Sequence, residues 1–227
     1  MRPQRGRGLP GLLAALLLAA CAAPTPSPSA CPTAAPTADE ATTILAGASS
    51  VEVKTNKGSF TIDLQPDSAP IATASFVALA RCGFYAGISF HRVIAGFVIQ
   101  AGDPQTRDNH GDFESLGSGG PGYHFEVEQA PSGTSYTKYM VAMANAMQYD
   151  QAGNIQGGTD TNGSQFFVML DDAPQLPPYY SVLGTVSAGQ GTVDAIGQLP
   201  TSGDPTNVPL DPAIIESMTV QGTAQPS

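Results

Sequence analysis

Arg92 is flanked by Val93, Ile94 and Phe97, and a permanently charged side chain in such an apolar run needs either a partner or a task. Its guanidinium presents several donors in a fixed plane. Either it pairs with a carboxylate to hold the fold together, or it offers a fixed positive fork to something that lies against the apolar residues. Other chemistries have weaker support. His91, His110 and His124 are the only histidines and lack metal-ligand spacing, so a structural or surface role is expected for each, and no metal. The run Gly117-Ser118-Gly119-Gly120-Pro121-Gly122 satisfies a literal GxGxxG. A dinucleotide site needs a helix opening at those glycines, however, and Pro121 followed by the strand-like Tyr123 to Glu128 points to a loop. No G-x-S-x-G elbow occurs, and scattered Ser, His and Asp do not make a triad.

The three cysteines divide by position. A basic start with Arg2, Arg5 and Arg7, an apolar run from Leu9 to Ala20 too short to span a bilayer, and Leu18-Ala19-Ala20-Cys21 read as a lipoprotein signal peptide over residues 1–20. Cleavage before Cys21 and lipidation of its thiol are expected, with an ordinary secretory signal as the alternative. Both export the chain, and the lipid would hold it on the extracytoplasmic side of a bacterial membrane. Cys31 and Cys82 then remain in a compartment where disulfides persist; a bridge between them and two free thiols both fit the sequence. The chain carries nine Lys+Arg against nineteen Asp+Glu, and loss of a leader with three arginines and no acid takes the net charge from −10 to −13. A binder of nucleic acid needs a basic surface to displace phosphate counterions, so that class of partner is excluded.

The elements that must position Arg92 follow from the apolar pattern. From Ala22 to about Ala48 the chain is rich in Ala, Pro, Thr and Ser, and Pro24, Pro26, Pro28, Pro32 and Pro36 favour an extended tether, assigned with Cys21 to residues 21–49. Val51 and Val53, the turn residues Asn56-Lys57-Gly58, and then Phe60, Ile62 and Leu64 predict a β-hairpin. Asp67 or Ser68 is expected to cap a helix with Pro70 in its first turn, Ala72, Phe76 and Leu79 on one face, and Gly83 ending it. Strands are expected over Ile88 to Val93, Phe97 to Gln100, Tyr139 to Met143, Phe166 to Leu170, Ser181 to Val186 and Ala213 to Val220, with a helix within Ser187 to Leu199. Many short strands and two short helices predict a mainly β fold, an antiparallel barrel or sandwich.

Three separated blocks carry a resemblance. They are SFHRVIAGFVIQAGD from Ser89 to Asp103, YMVAMANA from Tyr139 to Ala146, and TNGSQFFVML from Thr161 to Leu170. Together with GSGGPGYHFEVE, YYSVLGTV and VDAIGQLP they resemble, in the same order, the cyclophilin family of peptidyl-prolyl cis-trans isomerases. The resemblance spans about residues 50–221, leaving 222–227 as a tail, and implies a closed eight-stranded antiparallel β-barrel capped by two α-helices, with an active groove on its outer face. It implies an enzyme that needs no cofactor and acts as a monomer on proline-containing polypeptides, here as a folding catalyst for exported proteins. A non-catalytic chaperone or proline-peptide-binding module of the same fold is the alternative, and a hollow barrel carrying a small ligand is a third class.

The resemblance also assigns roles. Arg92 would direct its guanidinium at the prolyl amide, with Phe97, Gln100 and Asn145 completing the catalytic set. Val98, Phe167, Leu176 and Tyr180 would help receive the proline, while Ala144 and Ala146 leave room for the chain to lie across the site. Asn162, Gly163 and Gln165 are expected to shape the groove wall. Departures from the family pattern include Gln175 where a large aromatic, often tryptophan, is usual, so binding of cyclosporin-type inhibitors is expected to be weak. Two stretches, Gln105 to Leu116 and Met147 to Asp160, read as insertions bordering the groove, either tolerated loops or determinants of the residues preceding the proline.

Overall fold

A computed structural model describes residues 30–107 and 116–222. Cys21, His110, most of the first insertion and nearly all of the tail lie outside them. Among these residues ten strands are formed: β1 (Ala48–Thr55), β2 (Gly58–Leu64), β3 (Arg92–Ile94), β4 (Val98–Ala101), β5 (Met140–Met143), β6 (Gln148–Tyr149), β7 (Ile155–Gly157), β8 (Phe166–Met169), β9 (Val182–Ala188) and β10 (Ile215–Gly222). Three helices accompany them: α1 (Ala38–Leu45), α2 (Pro70–Arg81) and α3 (Gln190–Ile196).

Eight strands make one sheet in the order β10-β1-β2-β9-β5-β8-β4-β3, and β6-β7 form a separate two-stranded hairpin. All the pairings are antiparallel. The expected closed barrel is corrected to an open, strongly curled sheet with β3 and β10 as its edges. The gap between them is spanned by the segment ahead of β3: Phe90 N–H donates to Ala213 O and Ile215 N–H to Ile88 O, both at 2.8 Å. Residues 88–91, expected as strand, thus make an isolated bridge at Ser89 rather than a ladder.

The concave side is filled by rings. Phe60, Phe76, Phe90, Phe166 and Tyr85 are fully buried, and Phe166 stands edge-on to Phe76, Tyr85 and Phe90 at 5.4, 5.7 and 6.1 Å between centroids. Each such ring contributes about 1.5–3 kcal/mol relative to exposure. An interior packed in this way rules against a hollow ligand carrier.

The helices depart from expectation in instructive ways. Pro70 does occupy the first turn of α2, but its N-cap is Ala69, without a side-chain bond. The free N–H groups of Ile71 and Ala72 instead donate to the carboxylate of Glu128 at 3.0 and 2.7 Å, which places a negative charge at the positive end of the helix. Within the stretch expected as tether, Thr37 and Glu40 form a reciprocal capping box that starts α1 just beyond the last proline of the run. α1 packs on α2, where Arg81 donates to Ile44 O, and Cys31 and Cys82 are joined in a disulfide. Regular structure thus begins inside the stretch assigned to the tether: 38–45 is helix, and the strand β1 begins at Ala48. A third helix joins the expected two.

Candidate active site

The alternation of side chains across a strand sets two faces on the four strands β3, β4, β8 and β5. Val93, Ile99, Val168 and Val141 are in register with one another and face the core. Their neighbours Arg92, Gln100, Phe167 and Ala142 are likewise in register and face outward. Gly96, with φ +70°, turns the chain between β3 and β4, and Phe97 closes that turn by donating its N–H to Ile94 O at 2.9 Å.

On the outer face Phe167, Ala142, Val98, Met169 and Val182 form a second apolar cluster, covered by Tyr136 and Ala173 and flanked by Phe97, Ala144, Leu176 and Tyr180. At its margin lies a cavity of about 160 Å³ lined by Arg92, Phe97, Val98, Gln100, Ala144, Asn145, Phe167, Leu176 and Tyr180. Nine of the ten residues predicted from the sequence therefore meet around one hollow. The tenth, Ala146, lines an adjoining hollow of about 300 Å³ with the 117–120 loop, His124 and Thr161; Gln100, Ala144 and Asn145 border both.

Arg92 is half-buried and donates through Nη1 to Gln100 Oε1 at 3.1 Å. Among the described residues no carboxylate pairs with it, the ion pairs there involving Lys54, Lys57 and Lys138. Gln100 Nε2 in turn donates to Gln165 Oε1 at 2.9 Å, and Gln165 Nε2 donates to Gly117 O and Gly119 O. Asp103 accepts the N–H groups of the same two glycines. One relay of amides thus links the guanidinium to the loop that the GxGxxG reading rejected, and that loop contains no helix.

Asn145, assigned to the catalytic set, has both ends of its side-chain amide engaged within the protein. Nδ2 donates to Tyr179 O at 2.8 Å, and Oδ1 accepts from Met147 N–H at 3.1 Å. Gln100 is likewise engaged at both ends. Tyr180 stands edge-on to Phe167 at 5.2 Å and is fixed by Tyr136, whose hydroxyl donates to Tyr180 O and accepts from Tyr180 N–H. Burial pushes the Tyr136 hydroxyl up to about 12 and raises that of Tyr180, so both keep their protons near neutrality. Tyr136 and Tyr179 escaped the sequence reading because neither lines the cavity; the pair Tyr179-Tyr180 after Pro177-Pro178 was the available signal.

His91 is buried, with both ring nitrogens unpaired among the described residues. Burial lowers its pKa to about 4, opposed by the nearby Asp103 and reinforced by Arg92. No group of three His, Cys, Asp or Glu capable of holding a metal comes together among the described residues.

The arrangement offers a fixed positive fork at the rim of an apolar notch. Comparison with known proteins is in accord. Residues 50–220 match the family model described as cyclophilin type peptidyl-prolyl cis-trans isomerase. A peptidyl-prolyl cis-trans isomerase of Helicobacter pylori is 37% identical over 65% of this chain and 78% of its own length. Peptidyl-prolyl cis-trans isomerase A of Mycobacterium tuberculosis is 35% identical over 80% of this chain and 97% of its own. A crystal structure of a cyclophilin type isomerase from Cryptosporidium parvum, in the presence of the dipeptide Ala-Pro, superposes with a TM-score of 0.63 at 30% identity, covering 77% of this chain and 99% of that one. A scaffold that curls around a ring-filled core, a guanidinium on its outer face and a family match over most of its length converge: the chain belongs to the cyclophilin type peptidyl-prolyl cis-trans isomerases.

Proposed function

We propose that the chain accelerates cis-trans isomerisation of X-Pro bonds in exported polypeptides at the cavity beside Arg92, working from a lipid anchor at Cys21. Rotation about such a bond breaks no covalent bond, and the obstacle is amide resonance, with a barrier of about 18–20 kcal/mol. Uncatalysed exchange takes roughly 10–100 s. Bringing it to milliseconds, a factor of about ten thousand, requires the barrier to fall by about 5–6 kcal/mol.

The residues supply this in two parts. Phe97, Val98, Phe167, Leu176 and Tyr180 receive the pyrrolidine ring and hold one side of the rotating bond. The Arg92 fork then donates to the prolyl nitrogen, which gains a lone pair only as the amide twists and conjugation is lost. That interaction is stronger in the twisted state than in either planar one, which is the condition for catalysis rather than mere binding. Gln100, accepting from Nη1, keeps the fork from turning away. With the side chain of Asn145 engaged elsewhere, its contribution to holding a peptide falls to its backbone.

The observation that carries this reading is the half-buried guanidinium, unpaired by any carboxylate among the described residues, at the rim of an apolar notch. A proline-isomerisation assay on the full chain and on Arg92→Ala tests it. Loss of one such donor is expected to lower kcat/KM by about 10²–10³-fold; equal rates, or no turnover in either protein, remove the enzymatic reading. The anchor rests on Leu18-Ala19-Ala20-Cys21 and is tested by mass spectrometry of the membrane-extracted protein, where an unmodified Cys21 ends it.

A further inference from the structure

The stretch Met147 to Asp160 is not a loose loop. β6 and β7 pair as a hairpin whose tip is organised by Asp150: its carboxylate accepts from Ala152 N–H, Asn154 N–H and Asn154 Nδ2, each at 2.9 Å. Those bonds, the Asn154 side chain first, hold the Asp150 carboxyl below its ordinary range. The root is equally fixed, because Thr161 Oγ1 donates to Gly158 O and accepts from Ala146 N–H.

This braced arm meets the wall of the cavity at its tip through Tyr179 and at its root through Asn145. The Tyr179 hydroxyl donates to Gly153 O at the tip, and its ring packs against Tyr149 at 5.4 Å between centroids. The carbonyl of Tyr179 accepts from Asn145 Nδ2, and Asn145 Oδ1 accepts from Met147 N–H where the hairpin departs. Asn145, the hairpin and Tyr179 therefore close a circuit, which reaches the notch at Asn145, a lining residue, and beside Tyr180, the lining residue that follows Tyr179. None of these bonds involves Arg92 or Gln100.

Resting on the isomerase reading above, we propose that the β6-β7 hairpin is a positioning device for the wall of the proline cavity and that Tyr179 is the positioning residue through which it acts. The hairpin holds Asn145 and the Tyr179-Tyr180 segment at a fixed separation, so it governs how tightly the ring and its flanking backbone are gripped, while the fork that promotes rotation is set independently by the Gln100-Gln165 relay. The expected signature is an effect on KM with little on kcat.

The experiment measures kcat and KM of the full chain on a proline-containing tetrapeptide, for the wild type, Tyr179→Ala, Tyr149→Ala and Tyr149→Phe. Losing a hydrogen bond and a ring contact at Tyr179 raises KM by about tenfold with kcat within about twofold, and Tyr149→Ala raises KM by about threefold. Tyr149→Phe keeps the ring and restores the wild-type KM. A merely structural role would lower the melting temperature and leave the KM of the folded fraction unchanged; that result in both alanine variants overturns the proposal, as does a fall in kcat at constant KM. Should Tyr179→Ala fail to fold, Tyr179→Phe, which removes only the hydroxyl, and Tyr149→Ala carry the test. Absence of turnover in the wild type would instead strike the isomerase reading itself, and so is told apart from failure of the hairpin's role.

Discussion

The two faces of the same four strands do opposite work. Inward, Val93, Ile99, Val168 and Val141 meet a core of interlocking rings and need only fill space. Outward, one residue away on each strand, Arg92, Gln100, Phe167 and Ala142 meet a thin apolar cluster with a notch at its edge. The inner face is lined by valines and an isoleucine, and the outer one is organised around a charge. Stability and chemistry are thereby assigned to alternate residues, and a one-residue slip of register would exchange them.

The adjacent pair Phe166 and Phe167 gives the sharpest way to break that contrast. Phe166→Ala empties the centre of the core and should cost about 3–5 kcal/mol in unfolding free energy, read by denaturant titration, with the turnover of the folded fraction kept. Phe167→Ala should cost less stability and raise KM; the reverse pattern would mean that the faces are misassigned.

Acid probes the seam between the faces, because His91 is buried beside Arg92. Its folded pKa of about 4 lies below the ordinary 6.5. Between those values the unfolded chain takes up a proton that the folded chain refuses, so stability falls as the pH drops from about 6.5 to 4, by about 3 kcal/mol at most. Thermal melts across that range check the slope, and His91→Asn should flatten it. Turnover, which uses no titrating group, is expected to stay level near neutrality, and a sharp bell-shaped profile would count against the mechanism.

Smaller still is the effect expected at Glu128, where replacement by Ala removes the cap of α2 and should cost about 1 kcal/mol with no change in KM.

How far these features were legible in the sequence depends on how local their causes are. The β1-β2 hairpin followed from alternation at Val51, Val53, Phe60 and Ile62, because a period of two has one cheap solution. α1 was hidden by the prolines before it, although Thr37-x-x-Glu40 is a local capping signal that composition outweighed. The cap of α2 could not be read at all, since Glu128 lies more than fifty residues from Ile71 and only the curled sheet brings them together. Nine of the ten residues named from the resemblance line the cavity, yet a resemblance is silent about the bonds between them. The engagement of Asn145 by Tyr179 and Met147 depends on an inserted hairpin whose docking no spacing announces.

The central claim is that the Arg92 fork acts on the twisted amide more than on the planar one. Its most direct test is to measure, on the full chain and on Arg92→Ala, both kcat/KM for a proline peptide and the Kd of that peptide by titration. Differential binding predicts that kcat/KM falls by about 10²–10³-fold while Kd loosens only a few-fold. If Kd weakens by as much as kcat/KM falls, the guanidinium is a binding group alone and the account is contradicted.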